Sequence, residues 1–318
     1  MIFGEKIGAG TAVGRAPLGQ AEGMIDDMIR FGVAGWDYKD WWGPVYPADQ
    51  KGKRGFDPLA YLARYFDTIE VNSTFYRPPS PKSATSWARR VSENPRFRFT
   101  AKLWRRFTHQ RDEAWTTPEV DDVRAGLAPL MEAERLGCLL VQFPWSFKRD
   151  SASREWLGDL ATAFAEFPLA VEVRHSSWNV AEFYASLRQR GIGAVNIDQP
   201  VFHDSIKPGA QVTSPVGYVR LHGRNYENWF RDNAESHERY DYLYTKDELE
   251  GWLDRIHAVA KQAQDTYVVT NNHFRGQAPT NALMLRKMDG DDVTVPPELL
   301  AVYREAFESV GPSIADSR

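Results

Sequence analysis

The sequence predicts an α/β fold, a single-domain (β/α)₈ TIM barrel with a short N-terminal extension and a C-terminal helix. Three observations carry this. Eight short β-branched or apolar runs recur along the chain. Helical patterns with start signals separate most of them, and strands joined through helical crossovers pair in parallel. No linker, repeat or low-complexity tract divides the 318 residues, and such a length suits a closed barrel better than an open doubly wound sheet.

In chain order, the first strand is expected at 31–36 (FGVAGW) and the second at 68–73 (TIEVNS). RFTAKL at 98–103, CLLVQF at 138–143 and LAVEVR at 169–174 follow. AVNID at 194–198, YVRLHG at 218–223 and YVVTNN at 267–272 complete the set. Between them, Asp57-Pro58, Ser80-Pro81 and Thr117-Pro118 each offer a helix cap followed by proline at the first helical position. Asn179 with Glu182, and Thr245 with Glu248, have capping-box spacing. One helix is expected from Thr280 and a last one over 297–310. The stretch 199–216 shows no helical pattern. Residues 1–30 read as an extension, 31–311 as the barrel and 312–318 as a flexible tail. Gly32 and Gly35 do not open a Gly-x-Gly-x-x-Gly turn, so a dinucleotide site is not supported.

The chain is 42% hydrophobic, enough for one large core, and its net charge of −4 gives no general attraction to nucleic acid or anionic membrane. A single cysteine, Cys138, excludes an intrachain disulfide. Its apolar neighbours make it a core thiol of a reducing compartment. The first residues lack a basic region followed by an apolar run, and no stretch approaches the roughly 20 apolar residues of a membrane span. A cytoplasmic protein without a membrane partner is expected. Oligomeric state is not legible.

Parallel barrel strands are normally apolar on both faces, and these are not. Side chains alternate along a strand. If the apolar set faces the helices, the polar set faces the lumen: Glu70, Asn72, Lys102, Gln142, Glu172, Arg174, Asn196, Asp198, Arg220, His222, Thr270 and Asn272. Desolvating so many ionisable groups requires pairing. Two readings follow, a closed salt-bridge network filling the barrel or a ligand site at its C-terminal mouth, where barrel active sites lie.

Aromatics favour the mouth. The loops after the strands hold Trp36, Tyr38, Trp41, Trp42, Tyr46, Phe75, Tyr76, Trp104, Trp145, Phe147, Trp178, Tyr226, Trp229 and Phe230. Together they suggest a stacking surface for a flat group, although aromatic loops also simply close a barrel. A divalent metal on Glu70, Glu172, Asp198, His175 and His222 is chemically reasonable. Lys102, Arg174 and Arg220 would repel it and favour an anion instead. No cofactor is therefore expected. Glu70 and Glu172 do not reproduce the usual carboxylate arrangement of barrel glycosidases, which need carboxyls about 5 Å apart when retaining. A Schiff base on Lys102 is a further option.

These same residues resemble a known family. Gly35-Trp36-x-Tyr38-x-x-Trp41-x-Gly43-x-x-Tyr46-Pro47 is similar to the opening motif of DUF72 (YecE-like) proteins, as is the run from Phe66 to Arg77. Gln142-Phe143-Pro144, Glu172-x-Arg174-His175-x-Ser177-Trp178, Tyr218-x-Arg220-x-His222-Gly223 and Asn271-Asn272-His273 extend the resemblance, with Gly276 and Asn281-Ala282 beyond. It implies a (β/α)₈ barrel and no established reaction. The metal-ligand pattern of related barrel nucleases is not reproduced.

The function expected is an enzyme, a hydrolase or an isomerase or lyase, acting on an anionic sugar- or nucleotide-like ligand at the barrel mouth. Candidate catalytic residues are Glu70, Glu172, His222 and Lys102. Candidate ligand-binding residues are Trp36, Tyr38, Asn72, Tyr76, Arg174, His175, Trp178, Asp198, Arg220, Asn271 and Asn272. The alternative is a non-catalytic protein that binds nucleic acid or a phosphorylated ligand.

Overall fold

The computed structural model describes residues 28–231, 233 and 236–311. The expected tail, and the expected extension up to residue 27, lie outside them. The strands are β1 (Met28–Ala34), β2 (Thr68–Val71), β3 (Arg98–Lys102), β4 (Leu136–Gln142), β5 (Leu169–Glu172), β6 (Gly193–Asp198), β7 (Val216–Leu221) and β8 (Asp265–Thr270). They form one closed barrel, β1 through β8 in order, every pair parallel. All eight expected strands are present. Seven of them end one or two residues earlier than expected, because their tips already belong to loops. β1 starts three residues inside the expected extension.

The helices are α1 (Pro58–Leu62), α2 (Pro81–Arg90), α3 (Arg105–Thr108), α4 (Thr117–Glu132), α5 (Ser151–Ala163), α6 (Ala181–Arg190), α7 (Ser236–Arg239), α8 (Lys246–Ala260), α9 (Gln277–Met288) and α10 (Pro297–Ser309). Asp57 and Ser80 cap α1 and α2 as their positions before proline predict. Thr245 and Glu248 close a capping box on α8, whose Leu249, Trp252, Ile256 and Val259 are buried against the sheet. Three starts differ. Thr116, not Thr117, caps α4 in a box with Glu119. Asn179 does not cap α6; its side-chain oxygen accepts from the Tyr184 hydroxyl instead. α9 starts at Gln277, ahead of Thr280. No helix joins β6 to β7 among the described residues.

Neighbours across a parallel register share a face, so the pairing decides which residues enter the lumen. An apolar layer of Ala34, Cys138, Leu140, Ala170, Tyr218, Tyr267 and Val269 fills its lower part. Burial pushes the Cys138 thiol well above its ordinary pKa, which keeps it inert. Above this layer stand Glu70, Glu172 and Arg220, none exposed to solvent. The expected alternation holds on β2, β3, β4, β5 and β7. On β6 and β8 it is inverted. Leu221 of β7 packs in the outer core, and its register partners Asp198 and Thr270 share that outward face. Asn196 pairs with outward-facing Val219. On β8 the lumen therefore receives Tyr267, Val269 and Asn271, while Thr270 and Asn272 face the helices.

Candidate functional site

The lumen core is an ion network. The Arg220 guanidinium donates to Glu70 Oε1 at 2.7 Å and to Glu172 Oε2. Tyr218 donates to Glu70 Oε2 at 2.9 Å, and Arg174 Nε donates to Glu172 Oε1 at 2.9 Å. Burial opposes the Glu172 charge, but Arg220 and Arg174 outweigh it and hold the carboxyl well below its usual range. Burial likewise opposes the Arg220 charge, and the two carboxylates raise its pKa above the usual value. His222 is enclosed by Glu172, Arg174, Arg220 and Asn271. Burial, aided by both guanidiniums against Glu172, lowers its pKa to about 3, so it is neutral at physiological pH. Two carboxylates thus meet two guanidiniums and the network closes on itself.

One layer toward the mouth, Lys102 is left over. Its ammonium lies 4.5 Å from the centroid of the Phe75 ring, and no hydrogen bond or salt bridge reaches it among the described residues. Burial and the Arg220 charge lower its pKa to about 8, with Glu70 and Glu172 pulling the other way. Lys102 and Arg174 both border a cavity of about 750 Å³ at the C-terminal ends of the strands.

Flat walls surround that cavity: Trp36, Tyr38, Phe75, Tyr76, Trp145 and Tyr240. Gly35 sets the first wall. Its φ of +77° turns the chain sharply, and a Cβ there would sit 2.9 Å from the Tyr38 hydroxyl. Tyr38 folds back, donates to the Ala34 carbonyl at 2.7 Å, accepts from Asn72 at 3.2 Å and stacks on His273 with centroids 4.4 Å apart. Asn72, Gln142 and Asn271 supply amides, and exposed Asp37 stands at the edge. His109 lies edge-on to Phe75 at 4.9 Å. Burial and then the Lys102 charge lower its pKa to about 4, so it too is neutral.

Of the residues expected to form the site, Trp36, Tyr38, Asn72, Tyr76, Lys102, Arg174 and Asn271 line the cavity. Glu70, Glu172, Arg220 and His222 lie beneath it, fully buried. Four are placed elsewhere. Trp178 is buried, stacked on Phe147 with its indole N–H donated to the Phe147 carbonyl at 2.7 Å, so it cannot stack on a ligand. Asp198 accepts from Arg224 at 2.8 Å, and Arg224 also reaches Glu248 of α8. Asn272 bonds Asn281 of α9 and the Tyr242 carbonyl. His175 holds the short turn after β5 through Ser177. Trp41, Tyr46 and Phe147 of the expected rim are likewise buried in the outer core. Phe75, Trp145 and Gln142 were visible as strand-end aromatics and amide. His109, His273 and Tyr240 join them, and only position after a strand points to the first two. Tyr240 carries no pattern signal.

Among the described residues no group of three or more His, Cys, Asp or Glu is arranged to hold a metal ion. No helix among them is long and apolar enough to cross a membrane.

A family of proteins of unknown function, DUF72, matches residues 30–301, the whole barrel. The chain belongs to the DUF72 family. The UPF0759 protein YunF of Bacillus subtilis is 26% identical to this DUF72 chain over 290 residues, 87% of the chain and 100% of YunF. The UPF0759 protein YecE of Escherichia coli K12 is 27% identical over 186 residues, 55% of the chain and 61% of YecE. A crystal structure of a DUF72 family protein from Thermotoga maritima superposes with a TM-score of 0.73 at 35% identity, over 83% of this chain and 100% of that one. Another, from Enterococcus faecalis, gives 0.70 at 25% identity over 82% and 94%. None of these names carries an activity or a ligand.

Proposed function

We propose that this DUF72 barrel is an enzyme that takes a small anionic molecule, sugar- or nucleotide-like, into its mouth cavity. The observation that carries the reading is the surplus cation. Glu70, Arg220, Glu172 and Arg174 cancel one another, and Lys102 faces the cavity with no counterion among the described residues. A phosphate or carboxylate is the natural partner for that ammonium and for the adjacent Arg174 guanidinium. The aromatic walls suit a ring or a base, and the amides of Asn72, Gln142 and Asn271 suit hydroxyl or carbonyl groups.

Proton transfer in this reading moves away from the carboxylates. Glu70 and Glu172 are sealed beneath the cavity and act as positioning residues for Arg220 and Arg174. Lys102, with a pKa of about 8, and neutral His109 are two groups at the cavity surface suited to it. Buried, inert Cys138 and a net charge of −4 fit a cytoplasmic protein without a lipid partner.

Calorimetric titration with ribose 5-phosphate, inorganic phosphate and unphosphorylated ribose tests the proposal. Both phosphates are expected to bind, more weakly as salt rises, and ribose to bind at least 10-fold more weakly. Lys102→Gln and Arg174→Gln should each weaken phosphate binding about 10-fold or more. Equal affinity for ribose and its phosphate, unaltered in both variants, would refute it.

A further inference from the structure

The geometry points to Lys102 as a nucleophile that captures a small carbonyl compound bearing a carboxylate or phosphate, by forming an imine at the floor of the mouth cavity. This deepens the proposed function and rests on it, because Arg174 would hold the anionic end of the same molecule.

Three features separate Lys102 from a salt-bridge lysine. Among the described residues its ammonium has no carboxylate partner, although Glu70 and Glu172 stand one layer below, because Arg220 and Arg174 already occupy both. It rests against the face of Phe75, which offers no proton acceptor. It opens onto a space of about 750 Å³ that also admits His109. A cation held without a partner costs stability unless the group works as the free amine.

Electrostatics support the same role. Burial and the charge of Arg220 bring the pKa to about 8, with Arg174 adding to them and Glu70 and Glu172 opposing. At pH 7 the neutral amine is then on the order of 100-fold more abundant than in an ordinary lysine near 10.4. Attack of Nζ on the carbonyl carbon forms the C–N bond and sends the π pair to oxygen, which takes a proton. One amine proton passes to a base, the role we assign to neutral His109, which packs on the same Phe75 ring and lines the same cavity. The base returns its proton to the hydroxyl oxygen, the C–O bond breaks, water leaves, and a C=N bond that keeps the second amine proton remains. Carbonyl plus amine gives imine plus water, with no change of oxidation state. The protonated imine withdraws electrons from the adjacent C–H and C–C bonds, the chemistry of isomerases and lyases.

The test uses the full-length protein with pyruvate or glyceraldehyde 3-phosphate and sodium cyanoborohydride, followed by peptide mass mapping. Uncharged glyceraldehyde is the control. The adduct is expected at Lys102 at least 10-fold faster than at exposed Lys53 and faster for the anionic carbonyls than for the control. Its rate should rise toward pH 8. Lys102→Arg should lose the adduct at this position while labelling of exposed Lys53 is unchanged. Labelling of Lys102 no faster than of Lys53 overturns the imine. If phosphate still binds, only the nucleophile fails; if phosphate binding is also absent, the anion site fails with it.

Discussion

In the middle of the lumen, Arg220 lies between Glu70 and Glu172 with all three side chains shut away from water. One layer nearer the mouth, Lys102 faces a cavity with no counterion among the described residues. The two layers use the same residue types and reach opposite ends. Below, each charge has an opposite partner, the main condition under which a buried ion pair is tolerated, and the Arg220 Nε–H is the one donor of that guanidinium left over. Above, one charge is deliberately unmatched, and its desolvation appears as a lowered pKa. In the proposed reading the lower layer is scaffold and the upper one supplies the reagent.

The largest expected effect comes from breaking the lower layer. Arg220→Met leaves Glu70 buried without a cation and Glu172 with Arg174 alone, and should cost about 3–5 kcal/mol of stability by chemical denaturation. A loss under about 1 kcal/mol would erase the distinction between the layers. Acid attacks the same layer. The His222 pKa is about 3 in the folded chain against 6.5 ordinarily, so the unfolded state binds a proton that the native state refuses over that interval. Stability should fall as pH drops from about 6.5 toward 3, by about 3 kcal/mol at pH 4 from His222 alone. Glu172, depressed below its ordinary value, adds to the fall at the acid end. Thermal melts across pH check this, and His222→Gln should flatten the upper part of the curve.

The upper layer predicts the reverse sign. Lys102→Met removes a cation whose folded pKa is lowered, a penalty present below about pH 8 and relieved between about 8 and 10.5. The variant should gain about 1–2 kcal/mol at pH 7, less than full burial would give because the side chain reaches an open cavity. Destabilisation instead would place Lys102 with the scaffold. Smallest of all, Asp198→Asn should cost about 1 kcal/mol through its bond to Arg224 and leave phosphate affinity unchanged by calorimetry.

That last prediction rests on one of the two strands whose faces the sequence misassigns. Strand number, barrel closure and the convergence of Glu70, Lys102, Glu172, Arg174 and Arg220 all follow from alternation, because on those strands the outward side chains meet apolar helix faces. On β6 and β8 the outward side meets polar partners: Arg224 for Asp198, and Asn281 with the Ala278 carbonyl for Asn272 and Thr270. Polarity there marks attachment to loop and helix, and no period in the sequence separates the two cases. Nor does spacing reveal which of Lys102, Arg174 and Arg220 remains unpaired, since that depends on reach across the lumen. Trp178 shows the same limit: its side chain turns down into the outer core.

Those outward asparagines have a reach beyond packing. Asn281 on α9 holds the Tyr244 backbone at both its N–H and its carbonyl, and Asn272 holds the Tyr242 carbonyl. Two residues earlier in the same segment, Tyr240 overhangs the cavity. The aperture is therefore set by bolts fastened on the exterior of the barrel. Under the proposed function, drift in α9 would widen or narrow the mouth while the charged floor stays as it is.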